Sequence, residues 1–325
     1  MQLVSPALAD ANNGNWRTAA RWQRHLSHVA EVRLTQGWPG EPADVMIALH
    51  ARRSGEAVAA FRAAWPRRGL AVVLTGTDLY RDLPDDPVAR RSLALADELI
   101  VLQDEALHAV PVEARPKTRV LLQSAPGVRL RRPADGGALV AIGHLREEKD
   151  PQTLWRALPR LQNLPGFRLD HYGAALDARL GEQALHHQAA HPGYRWHGAV
   201  SAASARAALA RSRGLVHMSR MEGGANVMIE AVRSGVPVIA SRIPGNLGLL
   251  GAGYDGFFEP GDAQGLAEQV RRLWRDAGFE HHLRQQCAER EPLFTPACER
   301  AALQALVQRL LQRALTDNPF PPRLP

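Results

Sequence analysis

Apolar and polar positions alternate along the chain in two registers: short apolar runs of strand length, and intervening stretches with helical spacing. In the first half the apolar runs predict strands at 2–5, 29–34, 45–51, 70–76, 98–103 and 118–123. Between them the spacing predicts helices over 15–27, 53–64 and 88–96. Asn15 is placed to cap the first helix, which would turn Trp16, Ala19, Ala20 and Leu26 toward a core. Leu130-Arg-Arg-Pro-Ala-Asp-Gly-Gly137 is polar, rich in breakers and without periodicity, and reads as a domain boundary. A second series follows, with strands at 138–143, 167–172, 194–197, 214–218 and 237–240 and helices near 151–161, 175–190, 202–212 and 225–234. Asp150-Pro151 is a helix start, Asp at the cap and Pro in the first turn. The runs 138–143 and 214–218 are nearly continuous, as parallel strands covered on both faces require. From 262 onward the pattern is helical, at 262–275, 280–290 and 297–315, and the Pro-rich end from Asn318 is expected to be loosely held.

This order of elements predicts an α/β protein of two doubly wound domains facing across a cleft. The expected limits are 1–133 for the first domain and 138–295 for the second. A C-terminal helix and tail, 296–325, is expected to pack back on the first. The 325 residues suit two domains of about 150 residues each. No basic segment followed by an apolar run opens the chain, and no uninterrupted apolar run reaches 18 residues, so neither a leader nor a membrane span is expected. Two cysteines, Cys287 and Cys298, form no disulfide or metal framework, and the expectation is a reduced, cytoplasmic protein.

Charge changes the picture only slightly. The net charge is +7, but the 40 basic residues are dispersed and include just two lysines, Lys117 and Lys149. An arginine excess without aromatic-interleaved basic stretches suits phosphate-bearing small molecules better than a nucleic acid.

The candidate chemistry lies just after predicted strands, where doubly wound sheets bind ligands. Glu222-Gly-Gly-Ala-Asn-Val-Met-Ile-Glu230 follows an apolar strand and opens a helix. Val227, Met228, Ala231 and Val232 form that helix's apolar face, with Glu230 beside Asn226 and Ser234 on the polar side. Gly223 and Gly224 free amides at a helix N-terminus, where a diphosphate can bind. Glu230 is placed to accept hydrogen bonds from a ribose diol, and Glu222 to meet sugar hydroxyls. The plain alternative is a capped helix with two solvated glutamates. Gly143-His-Leu-Arg-Glu-Glu-Lys-Asp150 also joins a strand to a helix, and its cations could reach a phosphate or remain a solvated turn. In the first half, Gly14 and Asn15 end a loop after the first strand, His50 closes another strand, and Thr77 and Asp78 follow a third. Each has an ordinary reading as turn, strand end or cap. His186, His187 and His191 do not read as a metal site, because adjacent helical residues point apart.

The 222–230 segment resembles the Glu-x7-Glu motif of retaining glycosyltransferases with the GT-B fold, and Ala231-Val-Arg-Ser-Gly-Val-Pro-Val-Ile239 continues the likeness. The resemblance implies that Glu222 contacts the donor sugar and Glu230 the ribose, with Ala225 and Asn226 beside them. Gly143-His-Leu-Arg-Glu-Glu-Lys149 resembles the family's Gly-Arg-Leu-x-x-x-Lys, whose cations neutralise the leaving diphosphate. Lys149 fills the lysine slot; His144 occupies the arginine slot, and Arg146, two residues on, is the favoured substitute because it is charged at neutral pH. Loops at His171-Tyr-Gly173 and His197-Gly198 correspond to those that contact the nucleotide base through the backbone. The family needs no metal or other cofactor.

Three stretches of the first half narrow the likeness: Asn13-Gly-Asn-Trp-Arg-Thr-Ala-Ala-Arg-Trp22, Leu49-His-Ala-Arg-Arg-Ser54 and Leu74-Thr-Gly-Thr-Asp-Leu-Tyr-Arg-Asp-Leu83. With the 143–151 motif they resemble the selenosugar synthases of selenoneine biosynthesis. That implies transfer of a sugar from a UDP-sugar (UDP-N-acetylglucosamine or UDP-glucose) to selenophosphate. Such a dianion needs cations, and Arg17, Arg21, Arg52, Arg53 and Arg81 lie in or beside these stretches. It needs no base; an alcohol acceptor would, with His50 or Asp78 as candidates. Other readings are an epimerase or phosphorylase on the same scaffold, a non-catalytic nucleotide-sugar sensor, and a nucleic-acid binder. A phosphorylase would want a cofactor lysine near the C-terminus, and no lysine follows Lys149. No Gly-x-Gly-x-x-Gly follows the first strand of either half, which disfavours a dinucleotide-dependent dehydrogenase.

Overall fold

The structure, a computed structural model, describes residues 1–8, 14–133 and 136–316. The expected loose tail from Asn318 and the loop residues before Gly14 lie outside the described residues. The chain forms two compact units, one of residues 1–123 with 296–325, the other of 124–295.

The first unit is a six-stranded parallel sheet in the order β2-β1-β3-β4-β5-β6. Its strands are β1 (Gln2–Val4), β2 (Arg33–Thr35), β3 (Val45–Leu49), β4 (Gly69–Leu74), β5 (Glu98–Val101) and β6 (Thr118–Val120). β3 and β4 are buried at every position. Side chains alternate across a strand, so Met46 and Ala48 pack on one face with Val58 and Phe61 of α2 (Gly55–Ala64) and Ala89 and Leu93 of α3 (Pro87–Leu95). Val45, Ile47 and Leu49 pack on the other with Ala19, Trp22 and Leu26 of α1 (Gly14–Leu26). A short α4 (Ala106–Ala109) follows β5.

The second unit is also a six-stranded parallel sheet, β12-β11-β10-β7-β8-β9. Its strands are β7 (Leu139–Ile142), β8 (Leu169–Tyr172), β9 (Tyr194–Trp196), β10 (Gly214–His217), β11 (Val238–Ser241) and β12 (Phe257–Phe258). The helices are α5 (Pro151–Ala157), α6 (Ala178–Ala190), α7 (Ala202–Arg211), α8 (Asn226–Arg233), α9 (Pro244–Leu250), α10 (Ala263–Arg275) and α11 (Ala277–Arg290). The chain's last helix, α12 (Pro296–Thr316), belongs to the first unit, where Leu303, Leu306 and Leu310 complete the face shared with Trp22.

Strand β2 covers only Arg33–Thr35 where the pattern predicts a run at 29–34, α9 and β12 have no counterpart among the pattern-based expectations, and three further details differ. Asn15 lies inside the first turn of α1 and does not precede it. The helix is rotated so that Thr18 and Trp22 are buried, while Trp16 and Ala20 are half-buried. The cause is a polar partner: the Trp22 indole donates to the buried Glu299 carboxylate at 2.7 Å. The predicted boundary at 130–137 falls inside the second unit. Residues 125–132 are held there by Arg233 Nε to Ala125 O (3.2 Å), Val128 N to Ser234 Oγ (3.3 Å) and Arg132 to Glu280 (2.6 Å). Such bonds leave no trace in hydrophobic periodicity.

Candidate active site

In each sheet the strand order reverses once, between β1 and β3 and between β7 and β10. The loops leaving those strands diverge, and the crevice between them is where open α/β sheets take ligands. In the second unit the loop after β7 carries Gly143, His144, Arg146 and Lys149, and the loop after β10 carries Glu222. The structure brings Lys149 and Glu222 into direct contact, ammonium to carboxylate. The side chains are 20% and 11% exposed, so the pair is partly withdrawn from water yet reachable. His217, the last residue of β10, places Nε2 3.3 Å from the same carboxylate oxygen. Burial by itself would push the Glu222 carboxyl up; Lys149 and His217 outweigh it and hold the group well below the usual carboxylate range. Burial pushes the His217 imidazole down, with Lys149 adding to the effect, so His217 is neutral at pH 7.

A pocket is lined by Gly143, His144, Lys149, His171, His217 and Ser219, among others. Lys149 methylenes run along the strand end, 3.6–3.8 Å from where a Cβ on Gly143 would stand, an ordinary van der Waals contact. His144 accepts the Ala174 amide through Nδ1 at 3.0 Å, which puts the proton of its neutral ring on Nε2. Arg146 is not among the lining residues, and its guanidinium points to Glu148 at 4.0 Å. The preference for Arg146 over His144 as Lys149's partner therefore has no support in the geometry.

Glycines set the close approaches. Gly173 has φ +152°, and a Cβ there would stand 1.9 Å from Gly143 O and 2.8 Å from His144 N. A Cβ on Gly245, in the first turn of α9, would stand 2.2 Å from Glu222 O. Sequence reading placed Gly173 only in a base-contacting loop and missed Gly245. It also missed the buried chain Trp155 Nε1 to Tyr194 OH (3.0 Å) to His171 Nδ1 (3.0 Å), which ends on the Gly143 backbone. Burial pushes His171 down to about 4. Gly198, left-handed at φ +66°, accepts the Gly173 amide at 2.8 Å. Gly223 and Ala225 are buried, and Gly224 and Asn226 half-buried, at the start of α8; Glu230 is 9% exposed on the same helix. His187 stacks on Trp155 at 5.2 Å and His191 on His187 at 6.0 Å, so these histidines form an aromatic stack.

The first unit puts its candidates together too. His50 ends β3 in the left-handed conformation, φ +73°, with 1% exposure. Its Nδ1 accepts the Arg53 amide at 3.3 Å and its Nε2 lies 3.1 Å from Thr77 Oγ1. Burial pushes its imidazolium down despite Asp78 and Asp82, each 3.9 Å away. Asp78 is fully buried and accepts three amides, from Ala51 (2.9 Å), Thr75 (2.8 Å) and Gly76 (2.9 Å). It ties the loops after β3 and β4 together and presents no exposed carboxylate. Gly14 and Asn15 open α1, the first exposed and the second half-buried.

Residues 136–276 match the sequence profile of the family described as glycosyl transferases group 1. The second unit is a group 1 glycosyltransferase domain. By that domain the chain is a glycosyltransferase, and its two parallel sheets have the GT-B fold. Solved structures share this fold. The Anabaena protein HepE in complex with UDP and glucose is 16% identical, with a TM-score of 0.72, covering 97% of this chain and 100% of that one. A sucrose-phosphate synthase from Thermosynechococcus elongatus is 16% identical, with a TM-score of 0.77 and coverage of 96% and 98%. The pneumococcal O-GlcNAc transferase GtfA in complex with UDP and GlcNAc is 18% identical, with a TM-score of 0.66, and covers 91% of this glycosyltransferase; the match spans 60% of GtfA. No curated protein sequence matches the chain.

Proposed function

We propose that this glycosyltransferase takes the sugar of a UDP-sugar and passes it to selenophosphate. The observation that carries the donor half is the Lys149–Glu222 pair at the crevice between β7 and β10. A leaving diphosphate needs positive charge more than it needs an acid. Lys149 supplies it, with His144 Nε2 and the amides of Gly223 and Gly224 at the start of α8 adding donors. When the donor enters, Lys149 is shared between Glu222 and a phosphate oxygen, and Glu222 turns to the sugar hydroxyls. Glu230 takes the ribose diol. No metal ion is required in this scheme. HepE and GtfA, which share the fold, were each solved with UDP, which supports a uridine donor.

The acceptor half rests on the first unit. Selenophosphate attacks C1 through selenium; the C1–O bond to the diphosphate breaks, the C–Se bond forms, and UDP departs with the electron pair. The acceptor is already an anion and needs no base. That fits a unit in which the two ring nitrogens of His50 and the carboxylate of Asp78 are engaged within the fold. A hydroxyl acceptor, which would need a base, is not favoured: His50 Nδ1 accepts the Arg53 amide, so the proton of its neutral ring sits on Nε2 facing Thr77 and no ring lone pair is free. A reduced, cytoplasmic setting belongs to the selenophosphate reading.

The test is incubation with UDP-N-acetylglucosamine or UDP-glucose, with and without selenophosphate, followed by mass spectrometry. UDP and a hexosyl selenophosphate are expected. Failure to release UDP with every donor and acceptor pair would refute the reading.

A further inference from the structure

Arg220 lies between His217 and Glu222, on the loop leaving β10. Its backbone amide donates to Glu148 O at 2.9 Å, and its guanidinium Nε is ion-paired with Asp150 Oδ2 at 3.0 Å. These bonds grip the turn on either side of Lys149. Asp150 has an unusual backbone for a residue with a side chain, φ +45° and ψ +53°, in the left-handed region that favours glycine. Its carboxylate compensates: it accepts Thr153 N (3.3 Å) and Thr153 Oγ1 (2.6 Å), is ion-paired with the Arg220 guanidinium, and is only 2% exposed. The Arg220 side chain is 55% exposed, so an ordinary surface ion pair would count for little. Here one partner is buried, and a buried anion depends on the cation that meets it.

We propose that Arg220 is a positioning residue: it clamps the turn bearing Lys149 to the loop bearing Glu222 and so fixes the two charges against each other. Its importance for turnover rests on the donor-site reading above; the clamp itself does not. Without it the Lys149 turn is free to drift from Glu222. A displacement of an ångström at such a site costs about 100-fold in rate.

The chain has only two lysines, so protein labelled with ¹³C at the lysine ε-carbon gives two side-chain signals. Lys149 is identified by its disappearance in Lys149→Arg; Lys117, in the other unit, is the internal control. Arg220→Ala is expected to move the Lys149 signal and leave that of Lys117 in place. kcat should fall about 10–100-fold, with a smaller loss of UDP affinity and a lowered melting temperature, because Asp150 loses its cation. Arg220→Lys, which keeps a cation within reach of Asp150, should recover part of both the signal and the rate. Asp150→Gly, which fits the left-handed backbone but lacks the carboxylate, should move the Lys149 signal as Arg220→Ala does, and the double variant should add little. An unmoved Lys149 signal in Arg220→Ala overturns the proposal. If UDP affinity then falls, Arg220 grips phosphate directly. Additive losses in the double variant overturn it as well. If the starting protein releases no UDP from any donor, the donor reading fails while the lysine signals still decide the clamp.

Discussion

At the scale of single residues, Glu222 and Glu230 are expected to part company when changed. Glu222→Gln keeps the shape but discards the charge that Lys149 and His217 stabilise, and turnover should fall about 100-fold. Glu230→Gln should mainly raise the KM for donor, about tenfold, as expected of a lost hydrogen bond to a diol. Steady-state kinetics with varied UDP-sugar distinguish the two; unchanged parameters in both would remove the site assignment. Gly173→Ala is a steric probe of the same place. A methyl 1.9 Å from Gly143 O has nowhere to go, so the turn carrying His144 must shift. A loss of about 2 kcal/mol in stability, measured by urea unfolding, is expected together with weaker UDP binding. His171 sets a pH dependence. It is held neutral in the fold down to about pH 4, whereas an unfolded histidine takes its proton near pH 6.5. Between those values the unfolded chain binds more protons, so stability must fall as pH is lowered, by about 3 kcal/mol over the whole window. His171→Asn should flatten this part of the unfolding free energy between pH 7 and 5. The slope that persists belongs to His50, His217, His187 and His191, which are shifted in the same direction.

At the scale of elements, the helix faces show how far pattern alone reaches. The α8 residues Val227, Met228, Ala231 and Val232 are buried as their spacing predicts, because a plain apolar stripe was available to read. The α1 face was misjudged because its rotation is set by a polar group more than 270 residues away. Glu299, 1% exposed, accepts the Trp22 indole and Arg21 Nε (2.8 Å), and His25 Nε2 lies 3.3 Å away. These contacts anchor α12 against α1. Glu299→Ala leaves the indole and the guanidinium facing a void, and the first unit should lose about 3 kcal/mol, read from Trp22 fluorescence during denaturation. A change below about 1 kcal/mol would show that the apolar contacts of α12 suffice to hold it.

At the scale of the whole molecule, the last helix is part of the first unit's core. Leu303, Leu306 and Leu310 are fully or almost fully buried against β3, β4 and β5, and a Cβ on Gly69 would meet Leu310 O at 2.5 Å. Burying one leucine contributes about 2 kcal/mol, so these three are comparable with the whole stability of an ordinary domain. Removal of residues 296–325 should abolish amide-exchange protection in β3 and β4 while leaving β7 and β10 protected, as mass spectrometry of exchanged peptides would report. Loss of protection in both units together would mean that they do not unfold separately. The sequence by itself determined the alternation of strands and helices, the two parallel sheets, and the loops on which Lys149 and Glu222 ride. Periodicity and turn chemistry are local, and a parallel strand buried on both faces announces itself in its own residues. Only the tertiary structure decided that Lys149 meets Glu222, that His144 and not Arg146 lines the pocket beside Lys149, that Asp78 is a strut, and that Arg220 joins the two loops. Those outcomes depend on which strand ends lie side by side and on which buried polar atoms need partners, and residues scores of positions apart carry no mark of it.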